Sequence, residues 1–208
     1  MEQPSTSSTS SAHEKDVYRP RKYADVNVKT PDIFKEPQIA DYIWTDMESY
    51  EWRIALGGGS YSEVFVARKR HSMIRKEYAL KIAKPQCENS ILKELKVLYH
   101  MGKHTRIIQF AYAMKSVVSR KIGLLLEMPS KETLEQVEGT LTDSEIQYCL
   151  HQVLEGLDYC HSKGIMHRDI KPKNVLVNLH RKRVYIIDWG SAEFYLPGKE
   201  YNLYVGSR

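Results

Sequence analysis

The chain has 208 residues, 42% apolar and 27% charged, with a formal net charge of +5. That length can bury a core for one or two domains. No apolar run reaches the ~18 residues needed to span a bilayer, and the opening MEQPSTSSTSSAHEK lacks the apolar stretch of a secretory leader, so no membrane association is expected. So mild a positive charge suits an anionic ligand, but without a recognisable module it gives no ground for a nucleic-acid partner. Cys87, Cys149 and Cys160 are odd in number and lack metal-ligand spacing. Cys149 and Cys160 fall on a helical pattern and read as small core residues in a reducing compartment.

Residues 1–15 are rich in Ser and Thr with no apolar period, which predicts a disordered tail. Residues 16–49 carry Pro20, Pro31 and Pro37 and read as an extended segment. From Glu51 the pattern sharpens. Trp52, Ile54 and Leu56 alternate, three glycines follow, and Val64-Phe65-Val66 resumes, which predicts a hairpin with a glycine-rich turn. Residues 77–83 read as a third strand. Residues 90–101 read as a helix with Ile91, Leu95 and Leu98 on one face. Residues 107–113 and 122–126 complete a five-stranded antiparallel sheet with one helix, a first lobe over 50–127. Glu127, Met128, Pro129 and Ser130 break the pattern and form a link. Beyond it, Thr142 and Glu145 make a capping-box signature for a long helix with the stripe Ile146, Leu150, Val153 and Leu157, stopped by Gly164. A loop, a strand at 175–177, a basic turn (Arg181, Lys182, Arg183) and a strand at 184–187 follow. The fold class is α+β: two lobes, the second, 128–208, partial and mainly helical.

Four strings carry chemistry. The first is Leu56-Gly57-Gly58-Gly59-Ser60-Tyr61-Ser62-Glu63-Val64. Glycines let a backbone turn approach phosphates with no side chain in the way. A dinucleotide-binding loop would open a helix, whereas this one joins two strands; an ordinary hairpin turn has the same composition. The second is Tyr78-Ala79-Leu80-Lys81, whose lysine ends a strand within reach of that turn. Glu94 flanks the apolar face of the next helix and can turn its carboxylate toward Lys81. Taken alone, the two would be surface charges of little worth as a pair.

The third string decides between these readings: His167-Arg168-Asp169-Ile170-Lys171-Pro172-Lys173-Asn174. It matches the catalytic loop of protein kinases. In that pattern Asp169 accepts the proton of a substrate hydroxyl, Lys171 holds the transferring phosphoryl group, Asn174 binds magnesium, and His167 props the loop. The fourth is Asp188-Trp189-Gly190, directly after a strand. Its aspartate suits the magnesium that bridges nucleotide phosphates. The expected nucleotide contacts are therefore Leu56 to Val64, Lys81, Glu94, Glu127 and Met128. The expected metal ligands are Asn174 and Asp188, with ATP and Mg2+ as cofactors.

The details resemble one family, the catalytic alpha subunits of casein kinase II. The similarity lies in Gly59-Ser60-Tyr61-Ser62-Glu63-Val64-Phe65, in Leu157-Asp158-Tyr159-Cys160-His161-Ser162, and in Gly164-Ile165-Met166-His167-Arg168-Asp169. It is most specific in Asp188-Trp189-Gly190, Ala192-Glu193-Phe194-Tyr195, Pro197-Gly198 and Glu200-Tyr201-Asn202, and extends to Tyr23-Ala24-Asp25-Val26-Asn27. The resemblance implies a Ser/Thr kinase, active without activation-loop phosphorylation, with an N-terminal segment that braces the activation segment. It implies ATP and also GTP as phosphoryl donors, acidic protein substrates, a regulatory beta subunit, and a place in nucleus and cytoplasm.

The sequence departs from that family at three places. Its lysine cluster reads here Gln86-Cys87-Glu88-Asn89-Ser90-Ile91, basic residues are missing at Gly58 and Ser60, and Tyr204 replaces an arginine. Lys84, Lys93 and Lys96 remain, and the run Arg68-Lys69-Arg70 with Arg75 and Lys76 offers a second basic stretch. Pro129 removes a backbone donor from the link between lobes. The chain stops at Arg208, inside the segment after Asp188. On that basis the 142–163 helix is expected to leave apolar surface uncovered, and the polypeptide alone to be a weak catalyst. The alternative function is then a kinase-like fragment that binds nucleotide or a regulatory subunit.

Overall fold

The structure is a computed structural model that describes residues 22–30, 32, 36 and 38–202. The tail expected at 1–15, the start of the 16–49 segment, Tyr204 and the other residues after 202 lie outside the described residues. Among the described residues no helix is long and apolar enough to cross a membrane.

The first lobe is a sheet with one helix beneath it. Its strands are β1 (Trp44–Asp46), β2 (Tyr50–Gly58), β3 (Ser62–Lys69), β4 (Glu77–Ala83), β5 (Phe110–Lys115) and β6 (Ile122–Glu127), with α1 (Glu88–Met101) between β4 and β5. The spatial order is β1-β5-β6-β4-β3-β2. Five strands pair antiparallel, as the alternation of apolar residues predicts. The sixth, β1, lies parallel to β5 with Trp44 opposite Ala113, so the sheet is mixed rather than purely antiparallel. A three-residue strand has too little alternation to announce itself; β5 recruits it, and Trp44 packs edge-on against Tyr42, which meets Tyr99 of α1.

Both faces of this sheet are covered, which is why β6 reads as a continuous apolar run. On the inner face Leu124 and Leu126 pack with Ile91, Leu95 and Leu98 of α1, the helical stripe expected from its period. On the outer face Leu80, Ile82, Met114 and Leu125 pack under Met47 and Tyr50. Gly123 permits the close passage of β6 beside β4: a Cβ there would lie 2.5 Å from the Lys81 carbonyl oxygen.

The second lobe begins with a short helix α2 (Leu134–Val137) and the long α3 (Asp143–Ser162). Thr142 caps α3 as expected: its Oγ1 accepts from Glu145 N at 3.4 Å, and Glu145 Oε2 accepts from Thr142 N at 2.9 Å. Two small sheets follow, β8 (Val175–Asn178) with β9 (Arg183–Ile186), and β7 (Ile165–Met166) with β10 (Glu193–Phe194). The buried face of α3 keeps half of the expected stripe, Val153 and Leu157, and loses the other half. Cys149, Gln152, Val153, Gly156 and Cys160 are buried, whereas Ile146 and Leu150 are exposed and Leu154 is 64% exposed. Small residues decide the packing here. At Gly156 a Cβ would meet Ile186 Cδ1 at 2.8 Å, so α3 lies closest to β9 along its smallest side chains. The same burial pushes the Cys160 thiol up to about 12, which leaves it inert.

Candidate active site

Register places the first group. Gly57 pairs with Val64, Val64 with Lys81, and Lys81 with Leu124. The glycine-rich turn, its returning strand and the lysine therefore share one transverse row of the sheet. Strands β2 and β3 meet at a tight turn in which Gly59 N donates to Ser62 O at 2.9 Å. Leu56, Gly57, Gly58, Gly59, Ser60, Tyr61 and Glu63 are exposed, Val64 is half-buried, and Ser62 is buried beneath them. Glycine lets this turn run with open space at Gly59, where a Cβ would touch nothing within 4 Å.

Lys81 reaches two carboxylates. Its Nζ lies 2.7 Å from Glu94 Oε2 and 2.8 Å from Asp188 Oδ1. Glu94 comes from α1, and its side chain is 2% exposed. Burial pulls the Lys81 ammonium down, but the charges of Glu94 and Asp188 outweigh it and hold the group above its ordinary value. Burial pushes the Glu94 carboxyl up against the opposing pull of Lys81. Its other oxygen, Oε1, has no well-aligned hydrogen bond, although the Trp189 amide lies near enough to favour the charged form. Burial also raises Asp188, yet Lys81 prevails and the net pull on that carboxyl is downward. Sequence reasoning paired Lys81 with Glu94; it did not bring Asp188 to the same ammonium.

Asp188 has φ 59 and ψ 73, a left-handed conformation that costs a non-glycine residue about 1–3 kcal/mol. Trp189 secures it. The indole is 1% exposed, packs at 4.5 Å on the His167 ring, and donates to Ile186 O at 3.4 Å.

The loop between β7 and β8 holds the second group. Asp169 Oδ2 accepts from Lys171 Nζ at 2.9 Å and from Asn174 Nδ2 at 3.0 Å. Asn174 Nδ2 also donates to Asp169 O at 2.8 Å. Both bonds use its Nδ2, which leaves the amide oxygen as an acceptor for a cation. A carboxylate from Asp188 and an amide oxygen from Asn174 form the small hard-oxygen set that suits magnesium, which takes few protein ligands and completes its shell with water and phosphate.

His167 is 2% exposed. Its Nδ1 accepts from Asp169 N at 3.2 Å, so Nε2 carries the proton and donates to Ile187 O at 3.0 Å. Burial holds the imidazole below its ordinary 6.5. A depressed histidine contributes stability that is complete above the unfolded value and drains away as pH falls through the folded one. His100 and His104 act in the same direction and Glu94 in the opposite one. Stability should therefore fall from pH ~6.5 downward, and less steeply in His167→Tyr. Urea midpoints measured through that range check this; identical slopes would remove His167 from the account.

The link between lobes is tied to both of them, at Glu127 to the first and at Pro129 and Ser130 to the second. Glu127 N donates to Gln109 O at 2.9 Å, and its carboxylate pairs with Lys76 at 2.8 Å. Met128 and Pro129 are half-buried. Asn178 Nδ2 donates to Pro129 O at 3.1 Å, and Ser130 Oγ to Val177 O at 2.6 Å. Much of the basic stretch is engaged internally: Arg68 pairs with Glu77 at 2.5 Å, and Arg70 Nε donates to Glu48 O at 3.1 Å.

Asn27 had no assigned role. It is 2% exposed, and its Nδ2 donates to Gly164 O at 2.7 Å and to Tyr195 O at 2.9 Å. Gly164, at φ 67, has to be glycine here, because a Cβ would lie 2.3 Å from Asn27 Nδ2.

A lysine held by two carboxylates beneath a glycine turn, facing a base flanked by a cation and an amide, suits the movement of a phosphoryl group, where positioning and charge neutralisation do nearly all the work. The family comparison agrees with the geometry: the model for the protein kinase domain matches residues 50–208. The chain belongs to the protein kinase family, transferases whose substrates are proteins.

Proposed function

We propose that the chain is an ATP- and magnesium-dependent serine/threonine protein kinase of the casein kinase II alpha type. The observation that carries this is the meeting of Lys81 with both Glu94 and Asp188, at 2.7 and 2.8 Å. Lys81 and the amides of the glycine turn would hold the nucleotide phosphates. Asp188 and the Asn174 amide oxygen would hold magnesium, which neutralises charge on the transferring group. Asp169 orients the substrate hydroxyl and takes its proton, while Lys171, already on the same carboxylate, steadies the phosphoryl group. The lysine two residues after the base favours Ser and Thr over Tyr as acceptors.

The casein kinase II likeness gains support from Asn27. Its bonds to Gly164 and Tyr195 tie the N-terminal stretch to the segment that follows Asp188, the bracing which that resemblance implies. Such bracing would serve a kinase that needs no activating phosphate. Val117 and Val118, 79% and 84% exposed at the β5–β6 turn, are the kind of apolar surface a regulatory beta subunit would cover. A binding module without chemistry has no comparable support, because Lys81, Glu94, Asp169, Asn174 and Asp188 are all present.

Acceptor choice is the open variable, since Arg68, Arg70 and Lys76 are engaged within the chain. The test is transfer of labelled γ-phosphate from ATP to matched Ser, Thr and Tyr peptides, each with acidic or basic flanks. Transfer to Ser and Thr with acidic flanks is expected. Preference for Tyr would refute the Ser/Thr assignment, and preference for basic flanks would refute the casein kinase II type. A nuclear and cytoplasmic location, with GTP as a second donor, belongs to the same proposal.

A further inference from the structure

The hairpin between β3 and β4 ends in a tip that the site does not use. Every residue from Arg68 to Lys76 is exposed. Met73 is 99% exposed and Ile74 76%. Two adjacent apolar side chains held in water gain stability from any partner that covers them. The turn that presents them is bonded: Ser72 Oγ accepts from Ile74 N at 3.2 Å and donates to Ile74 O at 3.1 Å. The base of the hairpin is fixed as well. Arg70 N donates to Ser49 O at 2.9 Å, Arg68 pairs with Glu77 at 2.5 Å, and Lys76 pairs with Glu127 at 2.8 Å. The tip is therefore an ordered projection from the sheet.

Cations flank the apolar pair on both sides. Arg68 and Lys76 are matched by carboxylates. Lys69 and Arg75 have no carboxylate partner among the described residues. Arg70 reaches only a carbonyl, Glu48 O at 3.1 Å, which leaves its charge uncompensated. A protein interface sets a protruding apolar side chain into a pocket of matching shape. A bilayer needs no such pocket. Apolar side chains enter the boundary between headgroups and acyl chains, and the cations behind them meet anionic lipid. A loop lying on a bilayer needs no apolar span, so the absence of one, from which no membrane association was expected, does not bear on this tip.

We propose that the β3–β4 tip, Lys69 to Arg75, docks on an anionic lipid surface, with Met73 and Ile74 inserted and Lys69, Arg70 and Arg75 on the headgroups. The glycine turn lies at the other end of β3, beside Ser62, about 24 Å away at the rise of a strand. The nucleotide site therefore stays clear of the bilayer. Docking is separate from phosphotransfer and is read without it.

The test is co-sedimentation of the full chain with vesicles of phosphatidylcholine alone, or with about one-third phosphatidylserine. Binding is expected to the anionic vesicles only, and it should weaken as salt shortens the Debye length from ~10 Å at 0.1 M. Lys69→Ser/Arg75→Ser should lower the partition coefficient roughly 30-fold, since each cation near such a surface is worth about 5-fold. Met73→Ser/Ile74→Ser, which leaves the charge unchanged, should lower it at least about 10-fold. All four side chains are exposed, so thermal midpoints should stay at the wild-type value. Should a double variant fail to fold, Arg75→Glu, a single exposed change, takes its place and should abolish most of the binding. Equal binding to neutral vesicles would point to the exposed Leu150 and Leu154 of α3 and overturn the proposal. Anionic binding that survives either double variant would overturn it too. Tip-dependent binding to polyglutamate, with none to vesicles, would make the partner an acidic protein and reject the lipid surface.

Discussion

Replacing Asp169 with Asn should lower kcat about 10²–10⁴-fold, the range for loss of a general base, or ~3–5 kcal/mol in the barrier. The substitution is nearly isosteric, and its surroundings tolerate it. The amide oxygen of Asn can still accept from Lys171 Nζ and Asn174 Nδ2, which lie 2.9 and 3.0 Å from the native carboxylate, and the backbone N–H keeps its bond to His167. What disappears is the negative charge that takes a proton. The expected pattern is thus a fall in kcat with KM for ATP and thermal midpoint close to wild type. An alteration acting only through surface charge would be worth ~0.2–1 kcal/mol, well below the predicted loss. Steady-state kinetics on an accepted Ser peptide check this, and equal turnover of the two forms would remove Asp169 from the chemistry.

The distance along the chain over which a feature is encoded sets how much of it the sequence discloses. Helix α1 was legible because Ile91, Leu95 and Leu98 repeat at helical spacing and all turn to the sheet. The ends of β4 were legible because the strand is covered on both faces and bounded by charged and turn residues. Strand β1 was not, since only its pairing with β5 makes three residues a strand. In α3 hydropathy was right for only half of its stripe: Val153 and Leu157 pack on the core, Ile146 and Leu150 are exposed, and Gly156 with two cysteines makes the closest contact. Closeness of approach outweighed apolar character there.

The site divides in the same way. Asp169, Lys171 and Asn174 lie within one short string, and their mutual bonds follow from it. The pairing of Lys81 with Glu94 could be anticipated because a helix orients the carboxylate. The third partner could not: Asp188 meets Lys81 across 107 positions of sequence. The same holds for Asn27 with Gly164, 137 positions apart, a contact that exists only once the N-terminal stretch has packed on the second lobe.

Lys81→Met should be the most damaging single change to stability as well as to catalysis. It leaves Glu94, 2% exposed, without its cation, and breaking a buried pair by removing one partner costs about 3–5 kcal/mol. The deficit should depend on pH with a definite sign. Burial already pushes the Glu94 carboxyl above its ordinary 4.5, and loss of Lys81 removes the main force opposing it. A carboxyl whose folded value is raised favours the folded state below its unfolded value, and that stability is lost as pH rises through the folded value. The deficit of Lys81→Met should therefore be largest at neutral pH and shrink as pH is lowered toward 4.5. Adding Glu94→Leu removes the stranded charge, and apolar replacement of a whole buried pair is often neutral or stabilising by about 1–4 kcal/mol. The double variant should then recover most of the lost stability in denaturant melts while phosphotransfer stays lost. Such an outcome separates the two roles of the pair. A protein needing only a stable core would do as well with Met and Leu, so two charges kept at 2.7 Å in a buried site fit the proposed role of Lys81 in holding the phosphates of a nucleotide. Recovery of transfer in the double variant would refute that, and wild-type stability of Lys81→Met at neutral pH would show that the pair is not buried in the way its geometry requires.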